Sequence, residues 1–368
     1  MEPAALIHHR SPASRRRLLP AMLPKIMLAC SLLAPWPAVA DVAVLMYHRF
    51  GEDAYPATSV RLDAFEAQLS LIDELELEVV PLATVIAALR GEAGLPDRAV
   101  AITIDDAYAT IHGEAWPRLR AAGYPFTVFV ATDPVDQSFG GTLTWDQMRE
   151  MADAGATFAN HGASHESLPR RPEETAEAHE ARVRQDLVRA EARLLAELGE
   201  TGALLEGVFA YPFGEYDRAT ASVVDSLGWI AFGQHSGAID DQGDRLALPR
   251  YPINEAYSDP EALRTKLRSR ALPVERLEPW DPVSGPSPVL EVRLAVAEGS
   301  PIDLSRLACF VSGQGAVPVA WIEVGRQFRV APNRPLKPGR SRVNCTAPGS
   351  DGRYAWFSHQ WLVRPAAP

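Results

Sequence analysis

Nine residues, Val100 to Tyr108, constrain this chain more than any others. A run of small and β-branched side chains stops abruptly at two adjacent carboxylates, Asp105 and Asp106, followed by Ala107 and Tyr108. A continuous apolar run of this length reads as a strand buried on both faces, the habit of a parallel sheet covered by helices. In such folds chemistry gathers beyond the C-terminal ends of the strands, where this run ends. Neighbouring side chains on a strand point to opposite faces, so both carboxylates enter one site only if the strand stops and the chain turns there. Two like charges this close also call for a cation or a proton between them.

A second cluster lies downstream, where His161-Gly162-Ala163-Ser164-His165 follows the short predicted strand Thr157 to Asn160. Gly162 and the preceding strand argue for a loop rather than a helix. His161 therefore lies past a strand end, at the same mouth as Asp105 and Asp106. One carboxylate with two imidazoles suits a zinc-like divalent ion with an open coordination position, a hydrolytic rather than a structural arrangement.

The rest of the chain supplies the repeating units such a mouth needs. Asp41 to Tyr47 reads as a first buried strand that delivers His48 to its end, and His48 is either a site residue or a hydrogen-bonded loop histidine. Leu62, Phe65, Leu69, Ile72 and Leu75 recur at helical spacing, and Phe126 to Val130 is a further strand. Thr144-Trp145-Asp146-Gln147 has the form of a capping box. Val183, Leu187, Ala190 and Leu194 make the stripe of an amphipathic helix within the charged run 171–199. Strands follow at Gly207 to Tyr211, Trp229 to Phe232 and Leu246 to Tyr251. Alternating strands and helices predict a parallel α/β barrel, complete or partly open. After about Arg270 the pattern changes. Prolines 273, 279, 282, 286 and 288 predict a stiff linker over residues 271–288. Alternating apolar segments over 289–368 predict a small all-β sandwich.

Composition narrows the function. Arg15, Arg16 and Arg17 precede an apolar stretch ending in Ala38-Val39-Ala40, which predicts a cleaved signal peptide over residues 1–40 and export to the periplasm or beyond. Twin-arginine and lipoprotein variants of that leader are poorer matches. Lys25 and several prolines break the stretch, so no integral membrane span is expected in the mature chain. Losing five basic groups and one acidic group moves the formal charge from −11 to −15, which leaves no footprint for nucleic acid. Cys309 and Cys345, together near the C-terminus of an exported chain, suggest a disulfide, with two buried thiols as the alternative. No phosphate-binding loop, Gly-x-Ser-x-Gly elbow or dinucleotide fingerprint is present.

Over roughly residues 42–255 the chain resembles the polysaccharide deacetylases with NodB homology, especially exported deacetylases acting on N-acetylglucosamine polymers. Thr103-Ile104-Asp105-Asp106 is similar to that family's first motif and His161 to His165 to its second, in the same order. Ala210-Tyr211-Pro212-Phe213-Gly214 is similar to the third, and Met46-Tyr47-His48 to the exopolysaccharide branch. The resemblance implies a distorted (β/α) barrel at residues 41–270 that removes N-acetyl groups from an N-acetylhexosamine polysaccharide with one divalent ion, zinc first and cobalt or nickel as alternatives. It implies Asp105 as general base, Asp106, His161 and His165 as metal ligands, and the Phe213 N–H as oxyanion donor. Tyr211, Phe213, His48 and Tyr108 are then expected along the substrate groove, with ordinary core aromatics as the equal alternative for the Tyr211 and Phe213 rings. Ala210 stands where the family often has arginine, so the arginine that steadies the base is expected to be Arg250. The family's late histidine, its general acid, falls to His235, with His48 as competitor. Hydrolysis of another amide or an O-acetyl ester, or glycan binding without turnover, are the competing functions.

Overall fold

The computed structural model describes Met1 and residues 41–138, 141–284 and 290–365. The expected leader, apart from Met1, lies outside the described residues. Six parallel strands follow chain order around one curled sheet: β1 (Val42–Tyr47), β2 (Ala99–Asp105), β3 (Thr127–Val130), β4 (Thr157–Asn160), β5 (Leu204–Ala210) and β6 (Ile230–Phe232). Helices cover the outer face, among them Leu62–Glu74, Trp116–Ala122, Trp145–Asp153 and Ala176–Leu198. The capping box forms: the Gln147 N–H donates to Thr144 Oγ1 at 3.2 Å and the Thr144 N–H to Gln147 Oε1 at 2.9 Å.

The two-residue strand period sorts the core. Ala99 and Ala101 of β2 pack inward with Val44, Phe129, Ala159, Val208, Ala210 and Phe232. Val100, Ile102 and Ile104 pack outward with Phe65, Ile72, Leu119 and Met148 of the helices. Asp105 therefore continues the inward series and ends it at the barrel mouth. Between β6 and β1 the curl is completed by residues 245–252. Leu248 bridges Phe232, and Tyr251 and Pro252 pair in parallel with Leu45 and Met46. The result is the partly open form of the parallel α/β barrel that the strand and helix alternation predicts, and the distorted barrel that the resemblance implies.

The C-terminal part is a β sandwich. Its two sheets enclose Val292, Leu294, Phe328 and Val330 from one side and Val311, Val343 and Trp361 from the other. Cys309 and Cys345 lie opposite each other in register on neighbouring antiparallel strands and form a disulfide. Residues 271–288 differ from the predicted linker. Val274–Glu278 pairs with Val292–Val296, and Val283–Ser284 pairs with Tyr354–Val363; only the end of the stretch, from Gly285, lies outside the described residues. Pro273, Pro279 and Pro282 flank these strands, where no ladder N–H is required, so a proline-rich composition is compatible with strands that begin and end quickly. The sandwich packs on the barrel: Trp356 meets Tyr251 edge to face at 5.6 Å, and Arg353 donates to the Arg268 and Ser269 carbonyls at 2.8 and 3.0 Å.

Candidate active site

The turn after β2 does what two adjacent carboxylates need. Asp106 and Ala107 take φ of 72° and 53°, a left-handed conformation costly for residues with a Cβ, and this turn carries the Asp106 carboxylate to the same mouth as Asp105. Asp106 Oδ1 lies 3.1 Å from His161 Nε2 and 2.9 Å from His165 Nε2. His161 Nδ1 is 2.7 Å from the Ala210 carbonyl oxygen, which can only accept, so Nδ1 carries the proton and Nε2 is left with its lone pair. His161 Nε2 and Asp106 Oδ1 are buried without a hydrogen-bond partner. Two buried acceptor atoms facing each other are costly until a cation lies between them. Asp106 Oδ1 lies about 3 Å from each imidazole Nε2 and the three atoms fall within 4.8 Å of one another, a spacing that suits ligands around one divalent ion, so these residues fit a metal.

The loop carrying the imidazoles is held from behind by the Ala176–Leu198 helix. Asp186 accepts from the Ala163 and Ser164 N–H groups at 3.0 and 2.9 Å. Gly162, at φ 77°, is required here, since a Cβ would fall 2.7 Å from Asp186 Oδ2. Sequence reading passed over Asp186. Its signal was an acidic residue inside the apolar stripe, directly before Leu187.

Asp105 is fully buried and differently satisfied. Both of its oxygens accept from Arg250, at 2.7 Å each, and Arg250 also donates to Thr103 Oγ1 and the Gly233 carbonyl. The guanidinium lies 5.1 Å from the Phe129 ring centre and 5.9 Å from that of Phe232. Burial alone would raise the Asp105 carboxyl. The Arg250 guanidinium outweighs it and holds the group below the usual carboxylate value, so it is ionised at neutral pH.

A cavity of about 470 Å³ opens over these groups, lined by His48, Asp106, Tyr108, His165 and Phe213 among others. Burial lowers the His48 imidazole and pushes the Tyr108 hydroxyl up to about 12. The Arg49 guanidinium lies 3.4 Å from the Tyr108 ring centre. Phe213, at φ 58°, sets its ring edge-on to His165 at 4.7 Å.

Residues 92–231 match the family model described as polysaccharide deacetylase. Those residues, which include both carboxylates and both imidazoles of the site, carry the match to the polysaccharide deacetylase domain. The poly-β-1,6-N-acetyl-D-glucosamine N-deacetylase of Escherichia coli (strain K12) is 28% identical over 262 residues, which cover 61% of this chain and 38% of that protein. The chain thus spans about two fifths of the length of that relative. The Streptococcus pyogenes deacetylase PplD, solved in complex with acetate, superposes with a TM-score of 0.54 at 22% identity, over 62% of this chain and 99% of that one. IcaB from Ammonifex degensii gives 0.51 at 22% identity, over 61% and 97%. These two likenesses are of fold.

Two expected site residues of this polysaccharide deacetylase fold lie elsewhere. Tyr211 is a core residue: it is fully buried, its hydroxyl donates to the Leu246 carbonyl at 3.0 Å, and it stacks on Tyr216. It follows the inward-facing Ala210 and so faces outward, away from the groove. His235 lines a separate cavity of about 680 Å³ with Tyr216, Trp280 and His359. Its imidazole is folded over Gly233, where a Cβ would meet Nδ1 at 2.6 Å, and Gln234 is the residue of that loop which lines the site cavity. Sequence reading also missed Tyr257 and the sandwich residues Ser312, Arg340 and Arg342 on the cavity wall. Nothing local to those residues marks them, because a contact between a barrel and a sandwich is decided by how the two pack.

Proposed function

We propose that this chain hydrolyses N-acetyl groups from an N-acetylhexosamine-containing polysaccharide, using one divalent ion held by Asp106, His161 and His165. Zinc is the first choice and cobalt or nickel the alternatives. The observation that carries this reading is the pairing of a buried, orphaned carboxylate and imidazole with a neighbouring carboxylate already neutralised by Arg250. When bound, the ion supplies Lewis-acid polarisation of an acyl oxygen and acidifies water. Asp105, ionised and outside the ligand set, accepts the proton of the attacking water. Arg250 fixes its orientation and keeps its affinity for protons low enough for it to act as a base near neutrality. The Phe213 N–H is the candidate donor to the oxygen on which negative charge develops. Proton return to the leaving nitrogen falls to Asp105, with His48 as the other imidazole on the cavity wall outside the ligand set.

The same reading takes residues 41–270 as the catalytic domain and residues 1–40 as a leader for export to the periplasm or beyond. The Cys309–Cys345 disulfide suits an oxidising compartment. Among the described residues, no helix is long and apolar enough to cross a membrane.

The test is acetate release from N-acetylglucosamine oligomers and polymers by the full chain, before and after metal stripping and re-addition of zinc, cobalt or nickel. Release that needs metal and falls about 10²- to 10⁴-fold in Asp105→Asn is the expected result. Tight metal binding with no release from any N-acetylated or O-acetylated glycan would overturn it.

A further inference from the structure

One wall of the cavity is not made by the barrel. Along the sandwich strand Gly339–Pro348, Ser341, Val343 and Cys345 are buried, whereas Arg342 and Asn344 between them lie on the other face. Arg342 is paired in register with Gln360. This face rests on the turn that carries Phe213. Arg340 donates to the Phe213 carbonyl and lies 3.6 Å from Glu215, and Gln360 Nε2 donates to the Gly214 carbonyl at 2.6 Å. Arg342 lines the cavity together with Asp106, His165 and Tyr257.

Arg342 differs from the arginines around it. Its main chain is tied down, with the N–H donating to Ser312 Oγ at 3.1 Å. Its guanidinium is partly buried and has no ion-pair or hydrogen-bond partner among the described residues. A guanidinium cannot shed its proton, so it meets the cost of partial burial, and of the like charge on Arg340, without relief from the chain. The protein as a whole carries a formal charge of −11, so carboxylates to pair with it are not scarce. A positive charge left open on the wall of a binding cavity fits an anion brought by the ligand.

We propose that Arg342 receives an oxyanion substituent of the glycan, a carboxylate or a sulfate, and that the sandwich thereby sets a preference for anionic N-acetylated glycans. The inference rests on the deacetylase reading of the same cavity. A planar guanidinium takes either group through two parallel hydrogen bonds, and the Tyr257 side chain is on the same wall. A stretch already deacetylated, carrying ammonium groups, meets the opposite field and is disfavoured.

The probes are an N-acetylglucosamine tetramer, the same tetramer oxidised at C6 to the carboxylate, and the same tetramer sulfated at C6. Binding to the zinc-loaded full chain carrying Asp105→Asn is measured by titration calorimetry at low and high salt. At least one anionic tetramer should bind about tenfold more tightly than the neutral one, by an amount that shrinks with salt. Arg342→Gln should reduce that ratio to below about twofold, and Arg342→Lys should retain part of it. The carboxylate and sulfate arms identify which oxyanion the wall accepts. Equal affinities for all three tetramers, or a preference undiminished in Arg342→Gln, would overturn the assignment. Acetate release by the chain with Asp105 intact separates the two readings. Release without charge preference removes the role of Arg342 and keeps the deacetylase. Charge preference without release does the reverse.

Discussion

Two arginines serve this site from opposite sides, and their surroundings are opposite as well. Arg250, on the segment that completes the barrel, is fully buried beside the Phe129 and Phe232 rings and gives its donors to Asp105, Thr103 and Gly233. Arg342, on the sandwich, is partly buried and gives its guanidinium donors to nothing among the described residues. A charge completed inside the chain tunes a neighbouring group and holds the structure together. A charge left open at a cavity wall adds little to stability and is available to a ligand.

Stability measurements put that contrast to its strongest test. Arg250→Met leaves the Asp105 carboxylate buried and uncompensated and should cost about 3–5 kcal/mol in urea unfolding. Arg342→Met should change stability by less than about 0.5 kcal/mol in either direction. Similar losses for both would remove the distinction. The sandwich has its own internal tie. Replacing Cys309 and Cys345 together by Ala opens a loop of 36 residues and should cost about 3–4 kcal/mol, read in the unfolding of the oxidised and doubly substituted proteins.

Acid sharpens the comparison from the region between barrel and sandwich. Burial lowers His359 to about 4, and burial with the His359 charge lowers His235 to about 3. Both are neutral when folded, so the unfolded chain binds more protons below 6.5, and their contribution makes stability fall as pH drops from about 6.5 towards 4. Asp41, raised to about 7 by burial, works in the opposite sense over the same range. The useful quantity is therefore the difference from a variant. His359→Gln should lose less stability than the parent between pH 6.5 and 4.5, by up to about 1.4 kcal/mol per pH unit. The smallest effect concerns Tyr211. Tyr211→Phe removes one buried hydroxyl and should cost about 1 kcal/mol with KM unchanged; a shift in KM would return Tyr211 to the groove.

What the sequence made legible follows from how far each contact reaches. Asp105, Asp106, His161 and His165 could be placed at one mouth because each ends or closely follows a strand, and strand ends are a local property. Arg250 was reached through the family's arginine missing at Ala210, which pointed to the late strand; that this strand adjoins the first is visible only in the fold. His235 was misplaced because a strand end does not say which residue of the next loop turns inward, and Gln234 does. Tyr211 was left open between groove and core although the two-residue period carried the answer, since Ala210 faces in and its neighbour must face out. Arg340, Arg342 and Ser312 were out of reach, because their role depends on where one folded part rests on another. The prolines of 271–288 advertised stiffness and concealed two short strands.

The closing segment has a consequence for the order in which the molecule can be made. The Arg250–Asp105 pair spans 145 residues. Every growing chain that stops short of residue 250 therefore carries the carboxylate with its lifelong counterion still unwritten. Β1 to β6 can be complete in sequence while the centre of the mouth stays repulsive to its own closure. Docking of residues 245–252 is then one event with two outcomes, sealing the last gap in the wall and setting the charge state of the base. The protein cannot acquire a finished site in an unfinished barrel.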